Sequence, residues 1–349
     1  MIMASSQEAQ KAYQLVTALQ KRFVDKLNNL SKTVGENKNC KEMSWLRDEG
    51  IHGGGNRFEA QDKKLFNTAS VNVSQVHYDD TPNKNLKSAT AISTIIHPNN
   101  PHVPSVHIHI SLTQLRNAPS YWRIMADLNP AIAYEEDKKT FDTALEKLAQ
   151  ENYKTGKTQG EKYFTIPALQ RTRGISHFYL ENYKTENKKA DADFAKKFGE
   201  GIIDTYIEII HNAFQKRTNI SQEERQKQLD YHTLYLFQVL TLDRGTTSGL
   251  LIHNQNDIGI MGSLPLHVNK ELLLSWKEIV PKPQDELVHN IADCITNNGV
   301  IDEEVKAKLA QTVRKHYKKY PEALSMQASG DTIPSTVSNH AIATTSTKV

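Results

Sequence analysis

Residues 88–112 read SATAISTIIHPNNPHVPSVHIHISL, and this stretch decides the fold. On either side of PNNPHVP (98–104) lie segments rich in Ile, Val and Thr: ATAISTIIH, ending at His97, and SVHIHISL, beginning at Ser105. β-Branched residues suit the pleated, half-buried surface of a strand, whereas prolines 98, 101 and 104 bar the segment between from a central ladder. The stretch therefore predicts two neighbouring strands joined by a proline-rich turn. Side chains two apart on a strand share a face, so His107 and His109 point the same way, and His97 lies across the turn on the presumed partner. With Asp127 or Asp142 as an oxygen donor, His97, His107 and His109 have the residue types of a histidine–carboxylate iron or zinc site. A polar wall of neutral, hydrogen-bonded histidines is the other reading of the same residues.

Upstream, Ala12, Leu15, Val16, Leu19, Phe23 and Leu27 recur at helical spacing and predict an amphipathic scaffold helix over 8–31. The glycines of GIHGGGNR (50–57) lack the spacing of a phosphate-binding loop, which leaves close backbone packing as their explanation. The later half of LFNTASVNVSQVHY (65–78) alternates as a strand does. Downstream, periodicity predicts helices over 135–150 and 190–217, with a strand entered at Ile175 between them. The apolar run LYLFQVLTLDRGTTSGLLI (234–252) reads as two buried strands joined by a turn at Asp243-Arg244-Gly245. Helix and strand thus recur without a regular βα period, which predicts an α+β fold with a large, mainly antiparallel sheet. Residues 284–322 read as polar helices, and from Ser325 the chain lacks the apolar clusters that ordering requires. The expected organisation is a main domain over 1–282, a helical extension over 283–324 and a disordered tail over 325–349.

Composition narrows the function. Of 349 residues, 38% are hydrophobic and 24% charged, the profile of a soluble globular chain with a core of its own. Forty-three Lys and Arg against forty Asp and Glu leave +3, and no basic run is clustered enough for nucleic acid or an anionic membrane. No window approaches a membrane span, and the first residues, MIMASSQEAQKAYQ, lack the marks of a secretory signal. Two distant cysteines, Cys40 and Cys294, suggest neither a disulfide framework nor a zinc ribbon, so a reducing, cytoplasmic setting is expected.

Between Trp45 and Pro265 the chain resembles the oxygen-dependent coproporphyrinogen III oxidases. The strongest piece is Ser93 to His107, similar to the family's S-x-x-x-H-P-R-N-P-x-x-P-T-x-H. In family order follow Ala126-Asp127-Leu128-Asn129-Pro130, Arg173-Gly174-Ile175, Asp243-Arg244-Gly245-Thr246 and Ser263-Leu264-Pro265. The resemblance implies a flat sheet covered by helices on both faces, a homodimer, and removal of carboxylate from two propionates of a tetrapyrrole. Dioxygen would be the co-substrate, with no organic cofactor, and a metal is left open. It also implies roles: Asp127 and His107 as catalytic groups, the latter moving a proton, and Ser93, His109 and Arg173 holding substrate. The departures concentrate on cations. Where the family has an arginine two residues beyond the second histidine, this chain has Ser111; Asn99, Ala168, Leu169 and Asp142 stand at further cationic or histidine positions. Each lost charge-assisted bond to a carboxylate is worth roughly 1.5–3 kcal/mol, so a less acidic substrate is expected. A diverged enzyme with a histidine metal site and a non-catalytic tetrapyrrole-binding protein are the alternatives.

Overall fold

In the computed structural model, which describes residues 1–330 together with Val337 and His340, seven strands are hydrogen-bonded into one sheet. They are β1 (Lys41–Leu46), β2 (Gly53–Ala60), β3 (Phe66–His77), β4 (Leu86–Pro98), β5 (Ser105–Leu115), β6 (Tyr121–Asn129) and β9 (Ser176–Tyr183). They stand side by side in chain order and every neighbouring pair is antiparallel. A separate two-residue ladder joins β7 (Thr165–Ile166) to β8 (Arg171–Thr172). The proline-rich segment between β4 and β5 makes the expected turn, and the register places Ile95 opposite His107 and Ser93 opposite His109.

Strict alternation sorts the two faces. Val106, Ile108, Ile110 and Leu112 of β5 share one face with Ile124, Ala126 and Leu128 of β6 and Phe178 and Leu180 of β9. Helices α1 (Gln7–Val34), α2 (Glu135–Ala149) and α4 (Lys188–Lys216) close over this face, and their apolar stripes complete a single core with it. The starts of two of these helices follow from local chemistry: the side chains of Ser6 and Asn187 accept hydrogen bonds from the amides of Ala9 and Ala190, both at 3.1 Å. A further helix, α3 (Tyr153–Phe164), lies along the edge strand β9, where Gly156 and Gly160 leave no room for a side chain against Phe178 and the β9 backbone. An otherwise open edge is covered in this way.

The opposite face is polar at its centre and is roofed by α5 (Gln222–Thr241), α6 (Arg244–Ile252), α7 (Asp257–Met261), α8 (Lys270–Ser275), α9 (Gln284–Cys294) and α10 (Glu303–Lys319). These form a second core that includes Leu236, Leu240, Leu287, Ile291, Leu309 and Val313, and Ile95 joins it from the sheet. Among the described residues no helix is long and apolar enough to cross a membrane.

Two expectations need correction. Residues 234–252 are not a pair of strands: they end α5 and form α6, and all eleven residues from Tyr231 to Thr241 are buried. A helix apolar on every side carries no periodicity to separate it from buried strands. The supposed hairpin turn is a helix start, where the Asp243 carboxylate accepts the amide of Thr246 at 2.6 Å. The other correction concerns the tail. Gln327, buried, donates to Thr247 Oγ1 at 2.5 Å, and the Ala328 amide donates to the Leu242 carbonyl at 2.9 Å. Residues 325–330 are thus held by polar bonds that a search for apolar clusters does not register. Most of the expected disordered tail beyond Gly330 lies outside the described residues.

Candidate active site

Between the polar face of the sheet and the roof formed by α5, α6 and α7 lies a cavity of about 240 Å³. Each strand from β3 to β6 contributes residues two apart, the spacing that places them on one face: Asn72 and Ser74, Ser93 and Ile95, His107 and His109, Arg123 and Met125. Tyr163 at the end of α3, Tyr179 of β9, Tyr235 of α5 and the Asp243-Arg244 start of α6 close it.

Behind His107 sits a buried group of coupled charges. Asp127 pairs with His107 across β5 and β6 and is fully buried. Its Oδ1 lies 3.1 Å from His107 Nδ1, and its Oδ2 accepts from Arg173 Nη2 at 2.8 Å and from Asn129 Nδ2. Burial pushes the Asp127 carboxyl upward, but the Arg173 charge and the bonds from His107 and Asn129 more than offset it and hold it at about 2. Asp127 is therefore an anion lying against His107 Nδ1, which leaves Nε2 as the ring's other nitrogen. Arg173 reaches this point because Gly174, at φ +82°, packs on Asn129 and the Leu128 carbonyl with no space for a Cβ. The guanidinium is further enclosed by the rings of Phe164 and Tyr235, 4.9 and 5.0 Å away.

Of the residues singled out from the sequence, Ser93, His107, His109 and Arg173 line the cavity; Asp127 and His97 stand behind its wall. His109 Nε2 is 2.9 Å from Ser111 Oγ, and burial, reinforced by His107 and Arg123, lowers its pKa to about 3. His97 is fully buried, bonded through Nδ1 to Ser105 Oγ at 3.1 Å and enclosed by Tyr231, His232 and Tyr235. Burial, with His232 and Arg173 nearby, holds it neutral. The three imidazoles do share a face, as the spacing predicts; of the two oxygen donors considered, Asp127 lies against His107 alone and Asp142 does not share that face. Asp142 lies on the other side of the sheet, bonded to Lys138 at 2.5 Å and to Ser176, whose partner Leu128 faces the first core. Among the described residues no three His, Cys, Asp or Glu side chains converge as a metal ion requires. The histidine–carboxylate metal set is corrected on that geometry.

Arg47, Arg123, Asp243 and Arg244 also line the cavity, and none of them is among the site residues singled out from the sequence. Arg47, just after β1, has its Nε on Asn256 at 2.6 Å, and burial lowers it to about 10. Arg244 is ion-paired to buried Glu181. Asp243 accepts from Tyr163 Oη at 2.8 Å as well as from Thr246, and a carboxylate retains further acceptor capacity beyond two bonds. For Arg123 the alternation itself was a signal: it lies two and four residues before Met125 and Asp127, on their face. The cavity thus combines guanidiniums of the kind that bind carboxylates, a histidine backed by a buried carboxylate and a second carboxylate able to accept N–H groups.

The model of the coproporphyrinogen III oxidase family matches residues 11–292. An oxygen-dependent coproporphyrinogen-III oxidase of Drosophila melanogaster is 29% identical over 266 residues, which cover 69% of this chain and 66%, just under two thirds, of the fly protein. A protein of the same name from Prochlorococcus marinus (strain MIT 9301) is 28% identical over 344 residues, with 83% of this chain and 96% of the relative covered. A match over this much of the chain, on a sheet whose polar face carries Ser93, His107 and Arg173, establishes that the protein belongs to the coproporphyrinogen III oxidase family.

Proposed function

We propose that this protein is an oxygen-dependent coproporphyrinogen III oxidase that converts propionate arms of the tetrapyrrole to vinyl groups in haem synthesis. For each arm the balance is R–CH2–CH2–COO⁻ + O2 + H⁺ → R–CH=CH2 + CO2 + H2O2. The C–C bond to the carboxylate breaks, one hydrogen leaves the carbon next to the ring, and dioxygen takes up two electrons. The observation that carries this reading is the cavity wall in which Asp127 holds His107 beside Arg173, within a chain of this family. In it, His107 moves the proton, Asp127 sets its orientation, Ser93 and His109 are polar contacts, and guanidiniums bind propionates. Asp243, the carboxylate that does line the cavity, is better placed than Asp127 to accept pyrrole N–H groups. The same reading makes the protein a cytoplasmic homodimer; the exposed Met43 and Leu46 of edge strand β1 support an interface, and light scattering tests it.

One observation favours a second reading, a smaller anionic substrate: about 240 Å³ is below the roughly 300–1,000 Å³ of most ligand pockets. The deciding experiment is anaerobic coproporphyrinogen III mixed with air and purified protein, with chromatography of the oxidised products over time. Protoporphyrin formed faster than with His107→Ala supports the oxidase. No product from folded protein overturns it in favour of the smaller substrate.

A further inference from the structure

Arg123 is unlike the other cavity guanidiniums. Arg173 is paired to Asp127 and Arg244 to Glu181, and Arg47 is occupied by Asn256 and two backbone carbonyls. Arg123 has Tyr121 Oη at 3.2 Å as its hydrogen-bond acceptor, and its buried Nε has none. Among the described residues no carboxylate lies within ion-pair distance of it. Burial opposes its charge, while the surrounding Tyr179, Tyr121 and Tyr163 and the field of Asp243 favour it and hold its pKa up. The centre of the Tyr121 ring lies 5.4 Å from it. Asp243, however, is bonded to Tyr163 and Thr246, and none of the described carboxylates contacts the guanidinium. A guanidinium in a largely desolvated wall costs free energy unless something compensates it. It is retained here facing the cavity.

Its register adds a second observation. Arg123 lies directly opposite Ser111 across β5 and β6. Opposed side chains of an antiparallel pair start about 5 Å apart, so a long side chain from either strand serves the same corner of the site.

We propose that Arg123 is the substrate-carboxylate anchor of this cavity and sets its specificity for an acidic substrate, placing on β6 a charge that position 111 of β5 does not provide. The inference rests on the functional reading above and extends it to a particular contact. Oxidised coproporphyrin, with four carboxylates, and its uncharged tetramethyl ester are the probes, titrated by absorbance against wild type, Arg123→Leu and Arg123→Lys. A lost charge-assisted bond predicts a roughly 10- to 150-fold weaker coproporphyrin affinity for Arg123→Leu, ester affinity within about twofold, and less than about tenfold loss for Arg123→Lys. Equal losses for acid and ester, or for Lys and Leu, would overturn it. The thermal midpoint of the unligated protein supplies an independent arm. A residue held ready for a ligand costs stability, so Arg123→Leu should match or exceed wild type, whereas a drop of more than about 3 °C would assign Arg123 to the scaffold and refute the proposal. If wild type binds neither probe, the tetrapyrrole reading fails on its own, and the thermal arm still decides the standing of Arg123.

Discussion

Replacing Asp127 by Asn keeps the shape of the side chain and removes its charge, leaving Arg173 buried without a counter-ion. The carboxylate is fully enclosed and the Arg173 side chain is 3% exposed, so solvent supplies no substitute. Breaking such a pair from one side costs about 3–5 kcal/mol; the attraction of Arg173 to the faces of Phe164 and Tyr235 remains and places the loss near the lower end. The pH dependence gives a sharper test. The folded pKa of Asp127, about 2, lies below its ordinary 3.8, so its contribution is fully present above the unfolded value and is lost as pH falls through the folded one. The contribution totals about 2–3 kcal/mol, of which about 1 kcal/mol is gone by pH 3. Urea unfolding followed by tryptophan fluorescence should therefore show Asp127→Asn about 3 kcal/mol less stable than wild type at pH 6, with the gap about 1 kcal/mol narrower at pH 3. A gap that stays constant with pH, or no loss at pH 6, would refute the claim that Asp127 works as a buried anion.

Other substitutions probe separate links. His107→Ala should lower kcat for coproporphyrinogen III by roughly 10²–10⁴-fold, the usual contribution of a positioned acid or base; a change under fivefold would remove His107 from the proton path. Arg217 closes the end of α4 on Asp137 at 2.6 Å and Glu136 at 2.5 Å, 3.7 Å above the Tyr134 ring, and Arg217→Leu should cost about 2–4 kcal/mol in urea unfolding. A loss below about 1 kcal/mol would mean that solvent already screens the cluster. Ending the chain at Leu324 removes the bonds of Gln327 and Ala328 and should cost about 1–3 kcal/mol; an unchanged midpoint would show that these contacts do not hold the tail.

The sheet was legible because its signals are local. Alternation around His107, proline at the turn and helical spacing from Ala12 to Leu27 each act within a short stretch of chain, and the structure keeps all three. The roof was less legible for a physical reason. Tyr231 to Thr241 is buried on every side, which erases the amphipathic stripe by which a helix is read, and the Asp243 cap looks in sequence like a turn. The site divided in the same way. Ser93, His107, His109 and Arg173 share the cavity because strand parity and one glycine turn put them there. Asp142 misled because helix α2 crosses to the opposite face, a fact of topology that no spacing encodes.

Strand parity also bears on the acidity of the substrate. Counting arginines by aligned position finds the site stripped of cations, yet four guanidiniums line the cavity, from the end of β1, from β6, from the turn before β9 and from the start of α6. Counting those guanidiniums overstates the charge available, because Arg173 and Arg244 are neutralised by Asp127 and Glu181. What a ligand meets is the uncompensated remainder, and Arg47 and Arg123 have no carboxylate in ion-pair contact among the described residues. A substrate with two of its carboxylates anchored in the cavity would balance that remainder, while further carboxylates of a larger molecule would have to stay in water at the mouth. Binding affinity should then depend on the two inward acids and be nearly indifferent to esterification of the others. Partially esterified coproporphyrins can measure this directly: affinity falling evenly with each ester added, whatever its position, would contradict it.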